Sequence, residues 1–269
     1  MRVTKFGHSC VRIEHEGTTV VLDPGAFTER EAVDGADLVL VTHLHPDHWT
    51  PEHLRRADAP VRTIAQVADA VGEQAPDLVE RLTVVAPGER FAAGGIDVEV
   101  VNDKHAVIHP DYPRPDNSGF LLDVGGTSVF HPGDSLDGPG RPVDLLLAPV
   151  SAPWMKISEA IDFALAVGAP RNLAIHDKVY SDLALGMADT HLSTFLTPRE
   201  QDIVLPLVQG YSNREIAEQL GVSVKTIDLY RSRVMKRMQA DSLPALVGML
   251  VGVGVVDPFT LQPLRSLQD

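Results

Sequence analysis

The stretch THLHPDHW, residues 42–49, constrains the fold of this chain more than any other. It follows the apolar run ADLVLV, whose length and composition are typical of a buried strand. His43 and His45 are two residues apart, and Asp47 and His48 follow at once. A loop of this kind either binds metal or is only a polar loop rich in histidine. The spacing favours metal, because a loop can turn these side chains in two directions.

Apolar runs and alternating segments recur along the first two thirds of the chain. Strands are predicted at 2–6, 10–14, 18–22, 36–43, 81–85, 96–101, 119–124, 127–130, 144–148 and 171–175. Thr50 followed by Pro51 predicts a helix start, and further helices are predicted at 66–72, 157–167 and 182–195. Strands interleaved with helices indicate an α/β layered fold.

Charge and histidine content divide the chain near residue 196. Residues 1–196 hold 29 acidic and 15 basic side chains and all 11 histidines, whereas residues 197–269 are balanced at eight and eight. An acidic first part argues against nucleic acid binding there. We therefore predict domains at 1–196 and 197–252, followed by a loose tail at 253–269.

The second part has the composition of four short helices. Thr197, with Pro198 next and Glu200 three positions on, predicts a capped helix start. Ser212 and Gly221 bracket a second helix. A third is predicted at 224–238, with its apolar side chains turned inward, and a fourth begins at Ser242. The inward side chains of the third helix are predicted to be Val224, Ile227, Val234 and Met238.

Three further residues with metal-binding chemistry stand at the ends of predicted strands. His105 occurs in NDKHAV, Asp134 in VFHPGDS, and His176 in LAIHDK. Gly133 allows the backbone to turn so that the Asp134 carboxylate points into a cleft. Because loops at strand ends gather on one rim of a layered sheet, we expect these side chains to meet the THLHPDH loop.

The motifs THLHPDH, His105, PGDS and His176, in this order, resemble the metallo-β-lactamase-fold hydrolase superfamily over about residues 1–195. The opening KFGHSCVRIEHEGTTVVLDP is similar to that of its small cytoplasmic branch, which includes lactonase-like and other metal-dependent hydrolases. The resemblance implies an αββα sandwich with the site on its rim. One departure is that the chain passes from the predicted helix at 182–195 into the next module almost without a linker.

The resemblance also implies a dinuclear site. One metal would be held by His43, His45 and His105, the other by Asp47, His48 and His176, with Asp134 bridging the two. The cofactors expected are two divalent ions, zinc first, with manganese or iron as alternatives. Water acidified to hydroxide by the metals would attack an ester, lactone or phosphodiester.

Three nearby residues are assigned supporting roles. Asp47 is the candidate catalytic residue, orienting the nucleophile or relaying a proton. Asp23 in VVLDP is either an acceptor for the N–H of a metal-binding imidazole or a turn aspartate before Pro24. His8 either approaches the site or makes a structural hydrogen bond, and Trp154 either walls the substrate pocket or is simply packed. The remaining histidines, His15, His53, His109, His131 and His191, are predicted to be structural or solvated.

The segments TPRE, GYSNREIAEQLGVSVKTI and RVMKRM resemble the LuxR-type helix-turn-helix output domain over about residues 197–252. The resemblance implies that the helix at 224–238 enters the major groove of double-stranded DNA. The contacts expected are Lys225, Thr226, Asp228, Leu229, Arg231, Ser232, Arg233 and Lys236. The alternative is a helical module kept only for dimerisation.

Two functions from different classes remain open. The chain is a metal-dependent hydrolase of a small molecule with a helical appendage, or a transcriptional regulator whose metal-binding domain senses a ligand. A join of two unrelated coding segments is a third possibility. A homodimer is expected, and no membrane partner.

The single cysteine, Cys10, allows no intrachain disulfide and is predicted to be a buried small hydrophobe. Without an apolar run of about 20 residues or a signal peptide, the expected compartment is the cytoplasm.

Overall fold

The computed structural model describes residues 1–179, 203–204, 206–207, 209–237 and 242–243. The chain divides into two compact units, Met1–Leu185 and Gly186–Asp269. The helix predicted at 182–195, most of the helix that follows Thr197, most of the one from Ser242 and the tail at 253–269 lie outside the described residues. The boundary at residue 196 lies there too and stays a prediction.

The described part of the first unit, residues 1–179, contains twelve strands and three α-helices, with short 3-10 helices at Arg30–Val33 and Pro76–Arg81. The strands of the first half are β1 Arg2–Lys5, β2 Val11–His15, β3 Thr18–Leu22, β4 Leu38–Val41, β5 Val61–Thr63 and β6 Leu82–Val84. Those of the second half are β7 Arg90–Ala93, β8 Ile96–Val101, β9 Gly119–Val124, β10 Ser128–His131, β11 Leu145–Pro149 and β12 Asn172–Ile175. The helices are α1 Pro51–Ala57, α2 Ala65–Gln74 and α3 Ile157–Val167.

These strands form two mixed six-stranded sheets. The order in the first is β1-β2-β3-β4-β5-β6, and the order in the second is β12-β11-β10-β9-β8-β7. Pairing is parallel from β3 to β6 and from β10 to β12, and antiparallel elsewhere. The α/β class predicted from the alternation of strands and helices is confirmed.

Alternation of side chains along the strands produces the layers. In β3, Val20 and Leu22 belong to the core shared with the second sheet, whereas Val21 packs with α1 and α2 on the outer face. In β11, Leu145 and Leu147 face the shared core, whereas Leu146 packs with Phe163 of α3. Because the central strands of both sheets are buried on both faces, between the shared core and the helices, the layer order is α-β-β-α, as the family resemblance implies.

Two strands, β5 and β7, are absent from the sequence-based prediction. β5 is only three residues long, VRT, and β7 reads RFAA with alternate exposed side chains. Neither presents the apolar run that marks a central strand. Pairing with β4 in one case and with β8 in the other, rather than local pattern, makes these segments strands.

Strand direction gathers several loops on one rim. Because β3 and β4 are parallel, the residues that follow them, Asp23 and His43, lie at the same edge of the first sheet. β8 and β10 both pair antiparallel to β9, so they run in the same direction. β12 runs in that direction too, because it is parallel to β11, which is parallel to β10. Their ends place His105, Asp134 and His176 at one edge of the second sheet. The two edges meet at an isolated bridge between His43 and Asn117.

Within the second unit, two helices are described in full. α4 spans Asn213–Leu220, is capped by Ser212 in a capping box with Glu215, and ends at Gly221 in left-handed conformation. α5 spans Val224–Arg237. The predicted start and end of α4 are confirmed. Ile227 and Val234 are buried as predicted, but the inward placement of Val224 is wrong, because it is the first residue of α5 and is 43% exposed. Met238 lies outside the described residues.

None of the helices in the described part of the chain has the length and apolar content needed to cross a membrane.

Candidate metal centre

Eight side chains with metal-binding chemistry meet on the rim in two clusters. The first cluster consists of His43, His45, His105 and Asp134. The second cluster consists of His8, Asp47, His48 and His176. Within each cluster, one potential ligand atom per residue lies within 4.8 Å of every other. The structure therefore brings together all seven predicted metal ligands, and it adds His8 to the second group.

Asp134 lies between the two clusters. Its carboxylate oxygens are 3.3 Å from Nε2 of His105 and 3.8 Å from Nε2 of His43 in the first cluster. They are also 3.2 Å from Nε2 of His48 and 3.2 Å from Nε2 of His176 in the second. One buried carboxylate thus has four imidazole nitrogens within 3.8 Å, two from each cluster.

Asp23 orients two of these imidazoles through their Nδ1 atoms, that of His48 directly and that of His43 through Thr42. Its Oδ2 accepts a hydrogen bond from Nδ1 of His48 at 2.7 Å and one from Oγ1 of Thr42 at 2.7 Å. Since the Thr42 hydroxyl donates to Asp23, it accepts from Nδ1 of His43 at 2.9 Å. Both imidazoles therefore carry their proton on Nδ1 and turn an unprotonated Nε2 toward Asp134 when neutral. This is the position expected for an acceptor behind metal-binding imidazoles.

His105 and His176 are anchored in the same way by backbone oxygens. Nδ1 of His105 donates to the carbonyl of Ala106 at 2.7 Å, and Nδ1 of His176 donates to the carbonyl of Ser151. Their buried Nε2 atoms, and Oδ1 of Asp134, form no hydrogen bond within the described residues, although they lie against one another. Buried polar atoms left unpaired and convergent are what a bound cation satisfies. The residues present therefore fit divalent metal ions.

A tight turn carries Asp134 into this position. Gly133 has a φ of 62°, and a Cβ there would lie 2.3 Å from Oδ1 of Asn117 and 2.7 Å from Oγ1 of Thr42. The same Oδ1 accepts from the backbone N–H of Asp134 at 3.0 Å, while Nδ2 donates to the carbonyl of Pro132 at 2.9 Å. Asn117 thus fixes the turn from both sides. Sequence reasoning missed it, because a lone asparagine before a strand carries no distinctive signal.

His8 is fixed against Asp47 across the second cluster. Its Nδ1 accepts from the backbone N–H of Lys178 at 3.1 Å, so its proton is on Nε2, which donates to Oδ2 of Asp47 at 3.1 Å. His8 is fully buried, whereas the Asp47 side chain is 22% exposed. Asp47 is therefore the carboxylate of the second cluster that solvent reaches. Its loop packs closely, since a Cβ at Gly25 would lie 1.8 Å from the Asp47 carbonyl oxygen.

Three residues of the site hold a left-handed backbone, which costs non-glycine residues about 1–2 kcal/mol each. They are His8, Asp23 and His176, with φ values of 63°, 47° and 59°. Backbone bonds hold them there: the N–H of His176 donates to the carbonyl of His8, and the N–H of Asp23 donates to that of Leu40. Half of the non-glycine residues with positive φ in the described part of the chain therefore belong to the site, where the backbone sets the direction of a functional side chain.

The electrostatics of the two clusters differ. Burial lowers the pKa of His43 well below its usual value, and burial also lowers the pKa of His45. In the second cluster burial acts in the same sense, but Asp134 outweighs it and raises the pKa of His176 to about 9. The same balance raises the pKa of His48 well above its usual value. Burial raises the pKa of Asp134, but His48 and His176 bring it well below normal. Asp134 therefore stays ionised between the two clusters, and its negative charge favours a cation there.

The structure also describes most of the other residues that the sequence singles out. His131 is buried, with Nε2 donating to the carbonyl of Ser9 at 3.0 Å and Nδ1 accepting from the N–H of Gly133 at 3.1 Å. It ties two site loops together, a positioning role that its structural assignment did not anticipate. Cys10 is fully buried in an apolar cluster, as predicted. Trp154 packs edge-on against His105, with ring centroids 5.0 Å apart. His191 lies outside the described residues.

The predicted DNA contacts lie on α5. Those exposed are Lys225, Asp228, Leu229, Ser232 and Arg233, while Thr226 and Arg231 are half-buried and the Lys236 side chain lies outside the described part. Asp228 accepts from Nδ2 of Asn213 at 2.5 Å, and Arg231 donates to Oδ1 of Asn213 at 3.3 Å. These two side chains therefore brace α5 against α4 in the free protein.

Two family models match the chain. Residues 2–176 match the β-lactamase superfamily domain, and residues 194–250 match the LuxR family of bacterial regulatory proteins. The first match covers well over half of the chain and contains every residue of both clusters.

Individual relatives agree with the first match. Protein Rv0786c of Mycobacterium tuberculosis is 37% identical over 213 residues, which cover 77% of this chain and 97% of that protein. The UPF0173 metal-dependent hydrolase ABC2731 of Shouchella clausii is 27% identical over 65% of this chain and 85% of its own length. The solved structure of Igni18, a metallo hydrolase from Ignicoccus hospitalis, has a TM-score of 0.55 and 19% identity, covering 71% of this chain and 90% of that one. The last likeness shows the fold alone.

Proposed function

Because the chain belongs to the β-lactamase superfamily, we propose that its first unit is a dinuclear metal-dependent hydrolase of a small ester, lactone or phosphodiester. One observation carries the proposal: the Asp134 carboxylate has imidazole nitrogens of both clusters within 3.8 Å. A carboxylate in that position has one oxygen available for each of two ions.

The ligand sets follow from the clusters. One ion would be held by His43, His45 and His105, the second by Asp47, His48 and His176, and Asp134 would bridge them. Imidazole and carboxylate ligands suit zinc first, and manganese or iron as alternatives. When bound, such ions acidify water to hydroxide near neutral pH and polarise the attacked group.

The residues of the chain have their own tasks around that chemistry. Asp23, Ala106 and Ser151 hold the imidazole protons on Nδ1, so that Nε2 is the atom presented to the site. His8 donates to Oδ2 of Asp47 and so fixes the direction of the partly exposed carboxylate. We assign to Asp47 the orientation of the attacking water and the acceptance of its proton.

Paired substitution of two ligands tests the proposal. The His43→Ala/His45→Ala protein is expected to lose the zinc of the first cluster and all turnover of ester, lactone and phosphodiester probes. His15→Ala on β2 is the matched control, since it removes an imidazole that belongs to neither cluster and should leave both properties unchanged. Unchanged turnover by the double variant would refute the proposal.

A second function, transcriptional regulation with the metal-binding unit as a ligand sensor, is favoured by the LuxR-family match and by the exposed basic side chains of α5. It requires the cytoplasm, where the chromosome lies, and a homodimer suits paired half-sites in DNA. A gel shift with promoter-containing DNA at low ionic strength tests it. Retardation that weakens as salt rises supports it, and no retardation argues against it.

A further inference from the structure

Exposed apolar side chains are concentrated around the metal centre. In residues 1–179, ten large hydrophobic residues are exposed, and six of them lie on the loops that carry site residues. These six are Phe27, Leu44, Val107, Ile108, Tyr112 and Val179. Leu44 stands between His43 and His45 in the sequence and is 39% exposed. A surface of this kind beside a polar centre is typical of a binding site for an apolar group.

Two aromatic rings are in contact with the site itself, one at each cluster. Phe27 meets His8 of the second cluster edge-to-face, with ring centroids 5.1 Å apart and planes at 66°. Trp154 meets His105 of the first cluster at 5.0 Å and 64°. Phe27 is nevertheless 49% exposed, and Trp154 is partly exposed. Each cluster therefore has a partly exposed aromatic ring packed against one of its imidazoles.

Most of the basic side chains on these loops, or at the ends of the elements beside them, pair with carboxylates. Lys5 pairs with Asp177, and Lys104 pairs with Asp116. Two more such pairs are Arg30 with Glu52 and Arg114 with Asp137. Lys156 and Lys178 form no ion pair within the described residues, so they are the lysines of these segments whose charge is available to an anionic substrate. Among the side chains around the centre, exposed apolar surface is thus more available than unpaired positive charge.

We propose that the centre hydrolyses a neutral ester or lactone that carries an apolar chain, in preference to a phosphodiester. The inference rests on the proposed hydrolase function. In the reaction the oxygen of water bonds to the carbonyl carbon and the ester C–O bond breaks. The leaving oxygen takes one proton of the water, and the second is released as the carboxylate forms. Phe27 and Trp154 bind the chain and so determine specificity.

The chain-length dependence of turnover tests the inference. With the zinc-loaded protein, kcat/KM is expected to rise at least about 10-fold from p-nitrophenyl acetate to the octanoate, because each methylene removed from water favours binding. Phe27→Ala and Trp154→Ala should each reduce that ratio several-fold without loss of zinc. Leu165→Ala is the control, since it removes an exposed leucine on α3, away from the site loops, and should leave the ratio unchanged.

Three outcomes are informative. A flat chain-length profile, or faster turnover of bis(p-nitrophenyl) phosphate than of any ester, overturns the inference and leaves the hydrolase proposal standing. In the latter case Lys178→Met and Lys156→Met identify the lysine that binds the anion. No turnover of any probe refutes the hydrolase proposal itself.

A binding measurement that needs no turnover tests the apolar-chain inference independently of the hydrolase proposal. In the metal-free protein, quenching of Trp154 fluorescence by the unreactive ketones 2-butanone and 2-decanone reports occupancy, and Trp154→Phe supplies the background from Trp49. The longer ketone should bind at least about 10-fold more tightly. Equal affinities would overturn the apolar-chain inference even if the esters are hydrolysed.

Discussion

The metal centre and the α5 helix place their functional side chains in opposite environments. Around Asp134 the imidazoles of His43, His48 and His105 are fully buried, and each has its Nδ1 tied to a fixed partner. On α5 most of the predicted contacts, among them Leu229 at 50%, are exposed. The side chains of the metal centre are held by contacts within the protein, whereas most of those predicted on α5 are exposed to solvent.

The difference sets the size of mutational effects. A buried cluster fails as a unit, because removal of one carboxylate leaves several polar atoms unpaired. An exposed face loses one contact at a time, and each contributes little by itself. The predictions below follow that order, from the shared carboxylate to a helix cap.

The largest effect is expected at Asp134. Asp134→Ala should lower turnover by about 10³-fold or more, because charge stabilisation worth several kcal/mol is lost from both clusters. Steady-state kinetics with the best probe substrate measures it. Asp111→Ala is the control, since that carboxylate is 89% exposed on a loop of the same rim. A loss below tenfold would mean that the two clusters act independently.

A smaller effect, on zinc affinity, is expected for Asp23, which hydrogen-bonds the proposed ligands. Asp23→Asn keeps the shape of the side chain but weakens acceptance from His48 and Thr42, so zinc affinity should fall by about 10- to 100-fold. Competition with a chromophoric chelator gives the affinity. Asp123→Asn is the control, since it changes an exposed side chain that accepts from Gly126 in a turn, and it should leave the zinc affinity unaltered. If Asp23→Asn kept the zinc affinity of the wild type, Asp23 would be only a turn aspartate before Pro24.

On α5 the effect should be modest and dependent on salt. If the module binds DNA, Lys225→Ala should weaken binding about equally for all sequences and lower the slope of log K against log salt by about 1. Fluorescence anisotropy of a labelled duplex over a salt series measures it. Arg90→Ala, which removes a cation from the first unit, controls for net charge. An unchanged slope would exclude Lys225 from the phosphate contacts.

The smallest effect is expected at the cap of α4. Ser212 accepts from the backbone N–H of Glu215, and the Glu215 side chain accepts from the N–H of Ser212. Ser212→Ala should therefore destabilise the helix by about 1 kcal/mol. Hydrogen exchange of α4 amides in the full-length chain reports the change, with amides of β9 as internal reference. Unaltered protection of α4 would contradict the capping assignment.

Local pattern predicts most of the fold and of the site. Continuous apolar runs such as LVLV mark central strands, and caps such as Ser212 mark helix starts, because these signals act within a few residues. The seven side chains of the proposed metal site are recognisable from their residue types and from their positions after predicted strands. β5 was missed because it is only three residues long and takes its structure from pairing with β4. β7 was missed because it has no apolar run, although it forms a hairpin with the next strand, β8.

The supporting residues of the centre could not be predicted, because their partners are distant in the sequence. Asn117 acts through contacts with Pro132 and Asp134, and His131 acts through Ser9, 122 positions away. Nothing in their local sequence separates them from ordinary polar core residues. On α5 the pattern identified the buried Ile227, but the exposure of Val224 depends on how the helix begins, which periodicity alone does not give.

The shared carboxylate is tested most directly by zinc titration of the metal-free, full-length protein, monitored by calorimetry. Wild-type protein should bind two equivalents, and His105→Ala and His176→Ala should each bind one, because each loses a ligand of one cluster only. Asp134→Asn should bind neither ion tightly. Saturation of the wild type at one equivalent, or two tight sites retained in Asp134→Asn, would contradict a centre built around one bridging carboxylate.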